Sequence, residues 1–224
     1  MTREQVTIRQ LRVLVVDDSE LFRTGLQSLL ASEAFEVASA GSGDEALRQV
    51  PTFRPDVVVM DMDMPGMSGS DATRRIREAA PATFVMMLTG SDTAVIEAVR
   101  AGASGYLLKS ADVTEIAKAI RATAAGHSPF APQVAGALLA TVRDTATSDE
   151  RGVGVALSAR ERQVLALLAS GCNNVEIARR LYISSSTVKT HISGLLTKLH
   201  VDNRVQAACF ATRAGIVDGS PSLG

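Results

Sequence analysis

The chain has 224 residues, 46% of them hydrophobic and 21% charged, with a net charge of −1. That is the composition of one or two folded domains and excludes a disordered chain; no uncharged apolar run reaches 18 residues, which excludes an ordinary transmembrane helix. The N-terminal stretch carries Arg3, Glu4 and Arg9 instead of the apolar core of a secretory signal, and Cys172 and Cys209 have no metal-like spacing, so a reduced, cytoplasmic setting without membrane contact is expected.

The small net charge conceals an asymmetry. Residues 1–150 hold 14 Lys+Arg against 20 Asp+Glu, a net of −6, whereas residues 151–224 hold 9 against 4, a net of +5. An acidic front half and a back half suited to a polyanion follow from this split.

Strand and helix signals alternate through the front half. Strands are expected at residues 12–16, 36–39, 55–60, 84–88 and 105–108. Helices are expected at 21–31, 44–49, 69–78, 94–101 and 113–125. Five such βα units predict a doubly wound parallel sheet of strand order 2-1-3-4-5, which lets right-handed crossovers cover both faces. The run Val57-Val58-Val59-Met60 reads as a strand buried on both faces, and it ends on Asp61 with the turn Pro65-Gly66 close behind. The first strand likewise ends in Asp17-Asp18. Carboxylates at the carboxyl ends of neighbouring parallel strands lie where open α/β sheets carry their sites. Three like charges so close repel, and a hard divalent cation such as Mg²⁺ is the simplest way to keep them ionised.

After the last front-half helix, Gly126, Pro129 and Pro132 precede the apolar run 134–142, read as a turn and a short connecting helix. The small, polar stretch 144–155 has the composition of a flexible linker. The back half then reads as helical throughout. Ser158 and Glu161 form a capping-box pattern ahead of Val164, Leu165, Leu167 and Leu168, and Gly171 ends that helix. A short second helix is expected near 175–181. Ser184 or Ser185 caps a third, which runs to about 199 and buries Val188, Ile192, Leu195 and Leu199 as one stripe. A fourth is expected at about 204–214.

As chemistry, Asp61 is a carboxylate nucleophile placed to attack a phosphoryl group and form an acyl phosphate. Phosphoryl transfer needs charge neutralisation more than covalent machinery. The Thr89 hydroxyl at the end of the fourth strand can donate to a phosphoryl oxygen, and the Lys109 ammonium after the fifth can pair with phosphate.

In the back half, two short helices joined by a tight turn describe a helix-turn-helix. With the apolar stripe inward, Ser186, Lys189, Thr190, Ser193 and Thr197 face outward. Lys189 can reach a phosphate or a guanine edge, and Thr190 and Ser193 can contact phosphate, base edges or a thymine methyl. Lys198, Arg179, Arg180 and Arg204 can supply further phosphate contacts. His191 reads as a groove-edge or packing residue and not a metal ligand, and the two cysteines as plain small residues.

Asp17-Asp18, Asp61 with Met64-Pro65-Gly66, Thr89 and Lys109, in this order and at strand ends, resemble the receiver domain of two-component response regulators over residues 11 to about 130. Residues 157–217 resemble the LuxR-type output domain of the NarL/FixJ family, through Leu157-Ser158-Ala159-Arg160-Glu161, Gly171, Glu176-Ile177-Ala178, Leu181-Tyr182-Ile183-Ser184, Thr187-Val188-Lys189-Thr190-His191-Ile192 and Lys198-Leu199. The resemblance implies a flavodoxin-like receiver domain (10–127), a connecting helix and linker (128–156) and an all-α four-helix DNA-binding domain (157–217).

It further implies a non-enzymatic transcription regulator in which Asp61 accepts a phosphoryl group from a sensor histidine kinase. Mg²⁺ would be held by Asp18 and Asp61, by Asp17 largely through water, and by the backbone carbonyl of Asp63. Thr89 and Tyr106 would act as the switch pair, Tyr106 turning inward on activation. The phosphorylated chain would form a homodimer that reads paired half-sites in the major groove of double-stranded DNA through Ser186, Thr187, Lys189, Thr190, Ser193 and Lys198.

The sequence departs from the commonest pattern at Asp63, acidic beside the phosphate site, at Ser110 after the lysine, and at Ser193-Gly194 and Thr197 in a thinly charged reading helix. Two other readings are weighed: a regulator that works without phosphate, by ligand or by permanent dimerisation, and a phosphatase, since Asp61-Met62-Asp63 is similar to the Asp-x-Asp of haloacid-dehalogenase-like phosphatases. The second leaves Asp17-Asp18 and the back half without a role, and Pro65 stands where those enzymes want Thr or Val.

Overall fold

The computed structural model describes residues 9–91, 94–129 and 157–216. Five strands, β1 (Arg12–Val16), β2 (Glu36–Ala40), β3 (Val57–Met60), β4 (Phe84–Thr89) and β5 (Gly105–Leu108), form one parallel sheet in the order β2-β1-β3-β4-β5. They alternate with α1 (Glu20–Ser32), α2 (Gly43–Phe53), α3 (Gly69–Ala79), α4 (Val95–Arg100) and α5 (Val113–Ala124). This is the expected doubly wound domain, with element ends moved by a few residues.

The largest shift is in α2, expected to stop at residue 49. It runs through Pro51 to Phe53, and Arg54 closes it in a left-handed conformation with its N–H on the Val50 carbonyl. A proline so near the end removes one hydrogen bond of the last turn, not of a helix interior.

The central strands carry runs of consecutive apolar residues because both faces are covered. The pleat sends alternate side chains to opposite sides. Val13, Val15, Val57, Val59, Met86 and Leu88 pack in one core with Leu26, Leu30 and Ile120 of α1 and α5. Leu14, Val16, Val58, Met60, Val85 and Met87 pack in the other, with Val50, Ile76 and Ala98 of α2, α3 and α4.

The output domain comprises α6 (Ala159–Ala169), α7 (Asn174–Leu181), α8 (Ser185–Leu199) and α9 (Arg204–Arg213). Each start is fixed by a side-chain cap, from Ser158, Asn173, Ser184 and Asn203 respectively. The two residues offered as the α8 cap are thereby resolved in favour of Ser184. The expected stripe Val188, Ile192, Leu195 and Leu199 is buried, together with Leu196, against Val164, Leu165, Leu168 and Ile177. Truncating one of the fully buried members, Leu165→Ala, is expected to destabilise this domain by about 3 kcal/mol, read as a lower melting transition. The expected connecting helix at 134–142 and the linker at 144–155 lie outside the described residues.

Candidate functional site

β1 and β3 are neighbours, with Val16 paired to Met60, so Asp17 and Asp61 emerge side by side at one sheet edge. The Asp61 N–H donates to the Val16 carbonyl at 2.8 Å, and the Asp17 N–H to the Ala40 carbonyl at 3.2 Å, continuing the ladder one residue past each strand. Gly66, at φ +81°, turns the chain after Pro65. Gly69, the first residue of α3, donates its N–H to the Met62 carbonyl at 2.9 Å and brings the helix start hard against the Asp61 backbone.

Asp17 and Asp61 are buried, whereas Asp18 and Asp63 are exposed at the mouth of the site. Carboxylate oxygens of Asp17, Asp18 and Asp61 lie within 4.8 Å of one another. Lys109, brought to the same edge by β5, places its Nζ 2.7 Å from Asp17 Oδ2 and 3.0 Å from Asp61 Oδ2. Its ammonium also sits over the Phe22 ring at 4.8 Å. Burial pushes the Asp61 carboxyl above its ordinary value, against the opposing pull of Lys109. Burial acts to lower the Lys109 pKa, but its hydrogen bonds to Asp17 and Asp61 outweigh this and hold it above the ordinary lysine value.

Thr89 ends β4 fully buried, its hydroxyl accepting from the Ser91 N–H at 3.4 Å. Tyr106 is fully buried, its hydroxyl donating to the Ser91 carbonyl, so the inward position expected only on activation is already occupied with the output domain docked. One edge thus gathers three carboxylates, an ammonium and a hydroxyl. Three oxygen-bearing side chains around one point fit a hard divalent cation, and the partial neutralisation of the buried pair by one lysine leaves net negative charge for it to balance.

The second candidate site is α8. Ser186, Thr190 and Thr197 are exposed, as expected of an outward face. Lys189 and Ser193 are not. They line a cleft against the receiver domain, shared with Arg77, Phe84, Asn203 and Arg204. Lys189 Nζ stands 5.0 Å over the ring of Phe84, and burial there lowers its pKa. Arg204, expected at phosphate, instead donates to the Cys172 carbonyl at 2.8 Å. Arg179 and Arg180 are exposed.

Lys198, expected at phosphate, pairs with Glu161 at 2.9 Å. Glu161 also completes the capping box with Ser158. The Lys198 and Ser158 bonds lower its pKa to about 2. Relative to an unfolded value of 4.5, this contribution to stability is fully present above pH 4.5 and is lost as pH falls toward 2. Glu161→Ala is therefore expected to melt below the parent at pH 7, with the gap narrowing as pH is lowered from about 5 to about 3; melts across that range check it.

The sequence reading did not find Gly69, Phe84, Val99 or Asn203. Gly69 had no local signal, since its constraint is a contact and not a turn. Asn203 was visible only as a polar residue before the fourth helix.

A doubly wound domain with this strand-end constellation, joined to a four-helix domain with a capped helix-turn-helix, defines a two-component response regulator. The comparisons agree with that class. Residues 13–121 match the response regulator receiver domain and residues 155–211 the luxR family of bacterial regulatory proteins. The chain is 40% identical to the DNA-binding transcriptional activator DevR/DosR of Mycobacterium tuberculosis, over 90% of this chain and 94% of that one. It is 39% identical to the transcriptional regulatory protein LiaR of Bacillus subtilis, over 93% and 100%. Among solved structures it is similar to the response regulator ChrA of a heme-sensing two-component system, with TM-score 0.50 and 38% identity over 92% of this chain and 98% of that one. The chain belongs to the response regulators of the NarL/FixJ type, with a receiver domain and a LuxR-type DNA-binding domain. Among the described residues no helix is long and apolar enough to cross a membrane.

Proposed function

We propose that this regulator is switched by phosphorylation of Asp61 and then binds DNA as a homodimer to control transcription. The observation that carries the reading is the paired contact of Lys109 with Asp17 and Asp61 at the carboxyl edge of the sheet. An Asp61 oxygen attacks the phosphorus of a phosphohistidine on a sensor kinase. The phosphorus–nitrogen bond breaks, the imidazole leaves with a proton, and an acyl phosphate forms on Asp61.

Asp17, Asp18, Asp61 and the Asp63 carbonyl would hold Mg²⁺, which supplies charge neutralisation to the transferring phosphoryl oxygens. Lys109 moves its ammonium from the carboxylate to the new phosphoryl group, and the Thr89 hydroxyl donates to it. The carboxylate of Asp63, exposed at the mouth, tunes how long the acyl phosphate survives.

In the docked arrangement Lys189 and Ser193 face the receiver and cannot enter a groove. Release exposes them beside Ser186, Thr187 and Thr190, with Lys198 at the far end of α8. Two-fold pairing of output domains then addresses half-sites about one helical turn apart.

The test is molecular mass and binding to short mixed-sequence duplexes, with and without Mg²⁺ plus beryllofluoride, which stands in for the phosphoryl group. A shift to dimer and about tenfold tighter binding, both absent in Asp61→Asn, is the expected result. No change in either property would overturn the switch and favour control by another ligand or a permanent dimer.

A further inference from the structure

Beyond the docking of the reading helix, several hydrogen bonds join the domains, Asn173 with His127 and Arg77 with the Asp202 carbonyl among them, and two others each pair a helix C-terminus of the receiver with a helix N-terminus of the output domain. The Asn174 N–H, at the start of α7, donates to the Ala125 carbonyl at the end of α5, 3.1 Å away. The Asn203 side chain, at the start of α9, donates from Nδ2 to the Val99 carbonyl at the end of α4, 2.7 Å away. The last carbonyls and first N–H groups of helices lack partners within their own helix. The first junction satisfies one group of each kind, whereas the second adds a side-chain donor to a carbonyl that also accepts from the Gly102 N–H at 3.1 Å; both oppose the negative end of one helix dipole to the positive end of another.

Asn203 differs from an ordinary cap. It is 2% exposed, and its two amide atoms do different work. Oδ1 accepts from the Gln206 N–H at 3.0 Å and so caps α9. That bond fixes the amide orientation and leaves Nδ2 as the donor to Val99. Serine and aspartate cap helices about as well as asparagine does, but an aspartate cannot donate. The surroundings are built to admit this residue. A Cβ at Gly102, which has φ +93°, would come within 3.1 Å of the Asp202 carbonyl oxygen, and Arg77 reaches the same carbonyl at 3.5 Å.

α4 is a short element with Tyr106 bonded to the segment before it, at the Ser91 carbonyl, and Asn203 bonded at its C-terminal end, at the Val99 carbonyl. Tyr106 itself contacts the segment that leads from Thr89. Any displacement of α4 acts directly on the Asn203 bond.

We infer that Asn203 is a positioning residue with two duties, capping α9 in every state and latching the output domain to α4 only in the docked state. The inference rests on the proposed switch for its biological use, but the latch is testable apart from phosphorylation.

The variant is Asn203→Asp, which keeps a capping oxygen and replaces the donor by a carboxylate facing the Val99 carbonyl. It is made in full-length protein in the Asp61→Asn background, where phosphoryl transfer to residue 61 is absent. The readouts are radius of gyration by small-angle scattering and affinity for a short mixed-sequence duplex. A larger radius and about tenfold tighter duplex binding are expected, because apparent affinity scales with the released fraction. Unchanged radius and affinity would overturn the latch and leave the phosphorylation switch standing. Failure of the switch itself would show instead as an absent beryllofluoride response in the parent. If Asn203→Asp does not fold, Asn203→Ser, which keeps a capping hydroxyl but is too short to reach Val99, decides by the same two readouts.

Discussion

Asp61→Asn is expected to abolish phosphoryl incorporation from a small donor such as acetyl phosphate, along with every property that depends on it. The amide has no anionic oxygen to attack phosphorus. Asp17 is equally buried and makes the same two kinds of contact as Asp61, its Oδ2 with Lys109 at 2.7 Å and its Oδ1 with the Ser19 N–H at 2.9 Å, against Lys109 at 3.0 Å and the Met62 N–H at 2.9 Å for Asp61. Asp18 and Asp63 are exposed to water and lack the ammonium. The loss is chemical and not structural. One of two buried like charges is removed while Lys109 keeps Asp17, so the variant is expected to melt no lower than the parent. Phosphorylation assayed by mass, with a melt as control, checks both halves. Incorporation at the parent rate would show that Asp61 is not the acceptor.

Gly69→Ala is expected to have the next largest effect, at a residue that carries no functional group. An added Cβ would lie 2.0 Å from the Asp61 carbonyl oxygen and 2.9 Å from its carbonyl carbon. Backbone and not a flexible side chain is the obstacle, so either α3 or the loop after β3 must move. Overpacking of this kind costs about 3 kcal/mol, read as a fall of about 10 °C in Tm for the receiver transition. Because the obstacle is the Asp61 peptide itself, phosphorylation is expected to slow by about 100-fold even where the protein remains folded, as a displacement near 1 Å does to a reacting group. A melt combined with the rate of incorporation from acetyl phosphate tests this. A normal rate and a normal Tm would show that α3 relaxes freely away from the site.

These two variants separate what a residue does by its chemistry from what it does by its absence of bulk. They also mark the division between what could be read from the chain and what could not. The receiver fold was legible because its central strands are apolar at consecutive positions, which only a sheet covered on both faces requires. The site was legible because Asp17, Asp61, Thr89 and Lys109 each follow such a run, and parallel strands bring their ends to one edge. The four helices of the output domain were legible from periodicity and from capping residues at Ser158 and Ser184. These are local signals, written within a few residues of the feature they specify.

What the sequence could not carry is any contact between segments far apart along the chain. The outward face of α8 was correctly separated from its buried stripe, yet periodicity only divides a helix into faces. It cannot say that Lys189 and Ser193 rest on Phe84 and its neighbours and not in water, since a half-covered polar face and a solvated one have the same pattern. The same holds for Lys198, whose charge reads as free until α6 brings Glu161 beside it.

The sequence by itself determined the two domains, their elements and the chemistry gathered at the sheet edge, because hydrophobic period, caps and strand ends are encoded locally. Only the tertiary structure decided that Gly69 leaves room for the Asp61 peptide, that Asn203 bonds α4 as well as capping α9, and that part of the reading helix faces the receiver. Each of those depends on shape and distance between residues the chain holds far apart, and no property of either residue alone contains them.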